Sequence, residues 1–185
     1  MSKNKLEKKE KKSKFEISKS SFIGYLEDMK KREDRGALAA LRRGLQYELG
    51  ECIDMYPYVI PWIKNIKSKW EKNMHFLIAS LYAYYPETTN RGNLGDVFRK
   101  LYLKRKNNKS LEQRFISLLK SNPEDLPFHV RQAVSLAKSE NIPINWNELF
   151  YDLKRWPYET RFPPYEKWAK SFWKRKTNEE ENKNE

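Results

Sequence analysis

The chain has 185 residues, one cysteine, and 38 Lys+Arg against 25 Asp+Glu, for a formal net charge of +13. That length suits one domain or two small lobes, and a single thiol excludes a disulfide framework and a four-cysteine zinc site. With His75 and His129 as the only histidines, a multi-histidine metal site is excluded as well.

Hydrophobic residues make up 38% of the chain, which is lean, and aromatics 14%, which is rich. Each aromatic buries a large area, so six Trp, eleven Tyr and nine Phe supply a core that the aliphatics would leave thin. No apolar run approaches a membrane span. The N-terminal lysine run has no apolar stretch behind it, so it does not read as a secretory signal. The composition points to a soluble cytoplasmic protein with a polyanionic partner.

The charge is unevenly placed. Residues 1–14 hold seven Lys and two Glu, a net of +5, and residues 176–185 carry a net of −2. Both ends are too poor in apolar residues to pack, so they read as a disordered basic arm and a disordered acidic tail. The arm is either a solubility tail or a flexible segment adding non-specific affinity for nucleic acid. The body, 15–175, keeps +10.

Helical spacing runs through the body, and strand alternation does not. Phe15 to Arg32 forms a first helix with Phe22, Ile23 and Leu26 inward. Asp34 caps a second, running to about Leu49, with Leu38, Leu41 and Leu45 on one stripe. Pro57 and Pro61 break the stretch Cys52 to Ile66 into short pieces. Trp70 to Tyr85 is the central buried helix, stopped by Pro86; Thr88 to Gly95 is a polar turn, and Asp96 to Arg105 a short helix. Ser110 caps a helix carrying Leu111, Phe115, Leu118 and Leu119. Pro123 sits in the first turn of the next, which reaches about Glu140. Asn145 caps a helix through Trp156, and Pro163 and Pro164 open a last one through Lys176. The fold class is all-α, a helical bundle or two packed helical lobes, with eight or nine helices in total. The polar residues 107–110 place the lobe boundary, if there are two.

The candidate binding residues are basic. On the second helix Arg35 and Arg42 are seven positions apart and point the same way, with Ala39 between them and Arg43 and Gln46 beside them. A long, flat anion fits against such a stripe, and guanidinium forks match phosphate oxygens. The plainer alternative is a solvated face with Arg35 paired to Glu33 or Asp34. Arg114 flanks the apolar stripe of its helix, and Lys120 closes that helix, where it also suits the C-terminal dipole. Arg131 and Lys138 share a face, again seven apart. Arg91, Arg99, Lys100, Lys104, Arg105 and Lys106 crowd one polar stretch. Several such faces on a body of +10 make an electrostatic footprint.

Tyr82, Tyr84, Tyr85, Trp168, Phe172 and Trp173 are able to stack on bases, but their helical spacing reads as core. Catalysis finds little support. Residues 91–95, RGNLG, have neither the spacing nor the lysine of a phosphate loop, and no Ser, Cys or Thr sits in a nucleophile motif. Cys52 reads as a packed side chain, His75 as a core histidine, and His129 as the partner of Asp125 on a helix surface.

The run Asp34 to Leu45, DRGALAALRRGL, resembles the signature of the CasB family, the small subunit of the type I-E CRISPR surveillance complex (Cascade). The resemblance continues in order through the turn Gly92 to Gly95, Arg114-Phe115 with Leu118-Leu119, Asp125-Leu126-Pro127 with Val130-Arg131-Gln132, Ile142 to Trp146, Asp152, Trp156, and Trp168 to Trp173. It covers roughly Phe22 to Trp173 and makes 15–175 the family domain. It implies an all-α protein with no enzymatic activity, no metal and no cofactor. Two copies then sit head to tail among other Cascade subunits, touching the crRNA and target DNA and holding the displaced single strand. The residues the resemblance marks for that work are Arg42, Arg43, Arg114, Lys120 and Arg131; Arg35 joins them on stripe geometry. In such a division of labour guide pairing reads sequence and the protein holds backbone, as described for a different effector type. The competing expectation is a scaffold that bridges protein neighbours and touches no nucleic acid.

Overall fold

The structure, a computed structural model, describes residues 21–106 and 108–174. The basic arm, the acidic tail and the first residues of the expected first helix lie outside them. Nine α-helices make up the described residues: α1 Ser21–Lys31, α2 Arg35–Arg43, α3 Tyr56–Ile63, α4 Lys69–Tyr84, α5 Leu94–Lys104, α6 Lys109–Leu119, α7 Leu126–Ser139, α8 Trp146–Arg155 and α9 Pro164–Phe172. The fold is all-α, as the periodicity requires. The strand-like pairing among the described residues is one isolated bridge, Thr88 with Ile144.

The centre is α4, whose residues Met74 to Ala83 are all buried. A helix apolar on every side must be surrounded, and α1, α2, α3, α7 and α8 all pack on it. The Trp70 indole N–H donates to the Leu153 carbonyl at 2.9 Å and ties α4 to α8. A second grouping is built on α5, which packs against α6, α7 and α9. Here the rings of Phe98, Phe115 and Phe172 stack in series, with centroids 4.8 and 4.4 Å apart. Both α5 and α6 belong to this grouping. Gly95 is the tightest point: a Cβ there would meet the Trp168 carbonyl oxygen at 2.0 Å, so α5 and α9 touch backbone to backbone.

Local chemistry sets the helix ends. Asp34 accepts the Ala37 amide at 3.0 Å and starts α2 as expected. The same residue closes α1: its N–H donates to the Met29 carbonyl, and Glu33 occupies the left-handed position at φ 53°, a Schellman turn without glycine. Asn145 caps α8 through the Glu148 amide, and Ser68 caps α4 through that of Glu71.

Elsewhere the boundaries move. The second helix stops at Arg43 rather than near Leu49, giving way to a 3-10 turn, Gly44–Gln46. Gly44 lies so close to Met55 that a Cβ would fall 2.1 Å from its Sδ. Pro61 does not break α3; it sits inside that eight-residue helix at the loss of one backbone bond, while Pro57 occupies the first turn. Leu94, not Asp96, opens α5, because Asn93 and Asp96 form a reciprocal capping box. Asn108 rather than Ser110 caps α6, and Pro127 rather than Pro123 stands in the first turn of α7. The last helix ends at Phe172, short of Lys176. At the starts of α5, α6 and α7 the difference comes from a competing start residue two to four positions away, which local pattern ranks equally.

Candidate nucleic-acid interface

The last carbonyls of α4 have no partners within the helix and carry its negative dipole end. Two cations from different elements come to them, and a third comes to the chain just beyond the helix. Arg42, at the end of α2, donates Nε to the Ala83 carbonyl at 3.1 Å. Lys138, at the end of α7, donates Nζ to the next carbonyl, Tyr84, at 3.0 Å and lies 3.6 Å from the centre of the Tyr84 ring. Lys30 of α1 donates to the Pro86 carbonyl at 3.2 Å and pairs with Glu87 at 3.0 Å. Arg42 and Lys138 therefore serve consecutive carbonyls, although 96 positions separate them. Two helical turns back along each helix stand Arg35 and Arg131. The α2 and α7 stripes converge at the end of α4.

The six expected residues differ in what the structure leaves them. Arg35 is exposed and forms no ion pair with Glu33 or Asp34. Arg42 is exposed, and only its Nε is engaged among the described residues. Arg43 is turned aside: its Nη1 meets the Asp54 carboxylate at 2.5 Å, and that hydrogen bond and charge raise its already high pKa. Its charge is largely answered within the protein. Arg114 and Lys120 are exposed on α6, with no side-chain bond among the described residues. Arg131 is half-buried, and its Nε is buried without a hydrogen-bond partner among them.

The expected crowd between Arg91 and Lys106 proves partly structural. Arg99 is only 9% exposed and donates to the carbonyls of Phe172 and Lys174 at 3.2 and 2.5 Å, capping α9. Lys104 and Arg105 clasp Glu140 at 3.0 and 2.9 Å, and their hydrogen bonds hold its carboxyl below the usual range. Arg91, Lys100 and Lys106 remain exposed. Lys30 escapes sequence reasoning, since its partners are 56 and 57 positions away. Lys138 carries a signal, its seven-residue spacing from Arg131.

The stacking candidates are mostly core. Tyr82, Tyr85, Trp168 and Phe172 are buried. Tyr84 lies under Lys138, and Trp173 is exposed and bonded to Glu112. Cys52 is buried. His75 is buried between the rings of Phe22 and Phe150; burial lowers its pKa, and Nδ1 lies 2.7 Å from the Glu71 carbonyl. His129 makes ring contact with Phe128 rather than a bond to the Asp125 side chain. Among the described residues no group of three or more His, Cys, Asp or Glu is placed to hold a metal ion. No described helix is long and apolar enough to cross a membrane.

Arg42 and Lys138, held by backbone carbonyls, keep their charge un-neutralised, which suits a polyanion. Known proteins carry the same fold. The CRISPR-associated protein Cse2 of Thermus thermophilus is 32% identical over 152 residues, covering 80% of this chain and 85% of that protein. The crystal structure of M. ruber CasB matches with a TM-score of 0.72 at 31% identity, over 89% of this chain and 98% of that one. A chain of a solved CRISPR RNA-guided surveillance complex matches with a TM-score of 0.66 over 82% of this chain and 92% of that one, at 22% identity, a likeness of fold. The family model described as CRISPR-associated protein Cse2 matches residues 37–173, and the chain belongs to that family.

Proposed function

We propose that this chain is a non-catalytic small subunit of a type I-E CRISPR surveillance complex. In this reading it binds nucleic acid without reading sequence, and helps to stabilise the crRNA–target R-loop and the displaced DNA strand. Family membership supports it most; the convergence of Arg42, Lys138 and Lys30 at the end of α4 supplies the physical part. Its partners are the crRNA, target DNA, other Cascade subunits and a second copy placed head to tail, all in the cytoplasm. R-loop formation exchanges one duplex for another of similar stability, so modest contacts to the displaced strand are enough to tip it. Arg35, Arg42 and Arg131 on the converging stripes, with Arg114 and Lys120 on α6, hold phosphates. Arg43 ranks below them because Asp54 already answers it.

The test is single-stranded DNA binding by the purified chain across a salt series. About six engaged cations give a log–log slope of about −4. Arg42→Glu with Lys138→Glu flattens it. Equal, shallow slopes for wild type and variant overturn the proposal.

One observation favours a second reading, a scaffold with no nucleic-acid contact. The 3-10 turn Ile53–Met55 and α3 expose Ile53, Tyr56 and Ile60 in one stripe, with exposed Glu48, Glu51 and Asp54 near it. Apolar surface rimmed by carboxylates suits a protein neighbour. A scaffold tolerates the charge reversals with assembly and target opening both intact; a strand-holding subunit assembles but opens its target poorly.

A further inference from the structure

Four rings stand out of the surface where α8 ends and α9 begins: Tyr151, Tyr158, Phe162 and Tyr165, each between 39% and 63% exposed. Each of them has a contact within the stretch 151–165. The Arg155 guanidinium carbon lies 4.9 Å from the Tyr151 ring centre, and the Arg155 carbonyl accepts the Tyr158 amide at 3.1 Å. Trp156, next in the chain, meets the Tyr165 ring edge-on with centroids 6.0 Å apart. Arg161 sits 5.3 Å from the Phe162 ring. Helices α8 and α9 carry Tyr151 and Tyr165, and Pro157, Pro163 and Pro164 restrict the backbone around Tyr158 and Phe162, so little backbone freedom is lost on binding. The Trp156 indole also donates to the Ser121 carbonyl at 3.2 Å, which ties the end of α8 to the end of α6.

Exposed apolar surface fits a partner, and charge decides which kind. The α3 stripe mixes two isoleucines with a tyrosine and is flanked by Glu48 and Glu51, which repel a polyanion, and by Asp54, which is paired with Arg43. At the α8–α9 corner the exposed large apolar side chains are all aromatic. Lys154, Arg155 and Arg161 there face two exposed carboxylates, Glu159 and Glu166, and Lys170 pairs with Glu166 at 3.5 Å; Asp152 is buried against Lys167 and Trp168. A ring with a guanidinium on it offers a face for a base and, beside it, a donor fork for the adjoining phosphate.

We propose that this corner is a base-stacking platform for unpaired nucleotides, separate from the phosphate-holding stripes of α2 and α7. It rests on the nucleic-acid reading above and adds a grip on bases, and so a preference for unpaired strands that backbone contacts alone do not give.

The test compares three short strands by fluorescence anisotropy with the full chain: oligodeoxynucleotide, oligoribonucleotide, and an abasic phosphodiester of equal length. Wild type binds the base-bearing DNA or RNA about tenfold more tightly than the abasic strand, or better, and the tighter of the two names the strand it takes. Tyr151→Ala with Phe162→Ala, both at exposed positions, removes that preference and leaves the salt slope unchanged. Phe162→Trp keeps the preference, whereas Phe162→Leu, which retains apolar area without a π-face, weakens it. Equal affinity of wild type for abasic and base-bearing strands overturns the platform and leaves the nucleic-acid reading standing. Binding to no strand at all overturns both. If the double variant keeps the preference but enters the assembled complex poorly, the corner is a protein contact and the proposal falls.

Discussion

Charge is sealed inside at one place in this molecule and displayed at another. Between α8 and α9 the Asp152 carboxylate is fully buried; it accepts the Trp168 indole N–H at 2.7 Å and is paired with Lys167, which also meets Glu148 at 2.5 Å. Burial pushes the Asp152 pKa up to about 6 even though Lys167 pulls it down. Burial would likewise lower Lys167, but Asp152 and Glu148 outweigh it and hold that amine above its usual value. At the end of α4, by contrast, Arg42 and Lys138 are held by neutral carbonyls. An ion pair spends a cation's charge inside the protein, whereas a helix C-terminus positions the cation and leaves its charge outward. The first arrangement locks two helices together, and the second leaves positive charge at the surface.

The largest test of that contrast is Asp152→Ala. It leaves the Trp168 N–H unbonded and Lys167 short of a partner, and should lower stability by about 3–5 kcal/mol in urea unfolding. Gly95→Ala attacks the neighbouring α5–α9 contact, where the obstacle is the Trp168 backbone rather than a movable side chain. A loss of about 3 kcal/mol is expected, read as a fall in melting temperature. A smaller effect is expected from His75. Its pKa is lowered in the folded state, so the unfolded chain takes up the proton first. The stability His75 contributes is therefore present above about pH 6.5 and lost as pH falls below it. Asp152 has the opposite sign, since its raised pKa favours the fold below about pH 6. The difference between wild type and His75→Phe in a pH series of melting temperatures isolates the histidine slope. Arg42→Gln should change stability least, by less than about 1 kcal/mol, while lowering the salt slope for single-stranded DNA by about 0.7. A large stability loss there would make the two regions alike and end the comparison.

Much of this was legible along the chain. The apolar run Trp70 to Tyr85 announced α4 within one residue at each end, and Asp34 and Asn145 announced their caps. Those signals are local: a helix repeats every 3.6 residues, and a cap reaches three residues ahead. The same locality misled at Ser110, where Asn108 was nearer the helix entry, and at Pro61, which α4 packing holds within a helix. The exposed rings of the α8–α9 corner were not legible. Tyr165 and Trp168 share a helix three residues apart, and only packing sends one to solvent and the other to the core.

The sequence by itself determined the helices, the basic balance and the family resemblance, because spacing, composition and motif order are properties of neighbours in the chain. The tertiary structure alone decided which cations keep their charge. Arg43 is answered by Asp54 eleven positions on and Lys104 and Arg105 by Glu140 about thirty-five positions on, whereas Arg42 and Lys138 meet the neutral carbonyls of a helix that both had to fold against and keep their charge. A side chain's neutralisation depends on what lies within about 4 Å of it, and that distance is set only once the helices have packed.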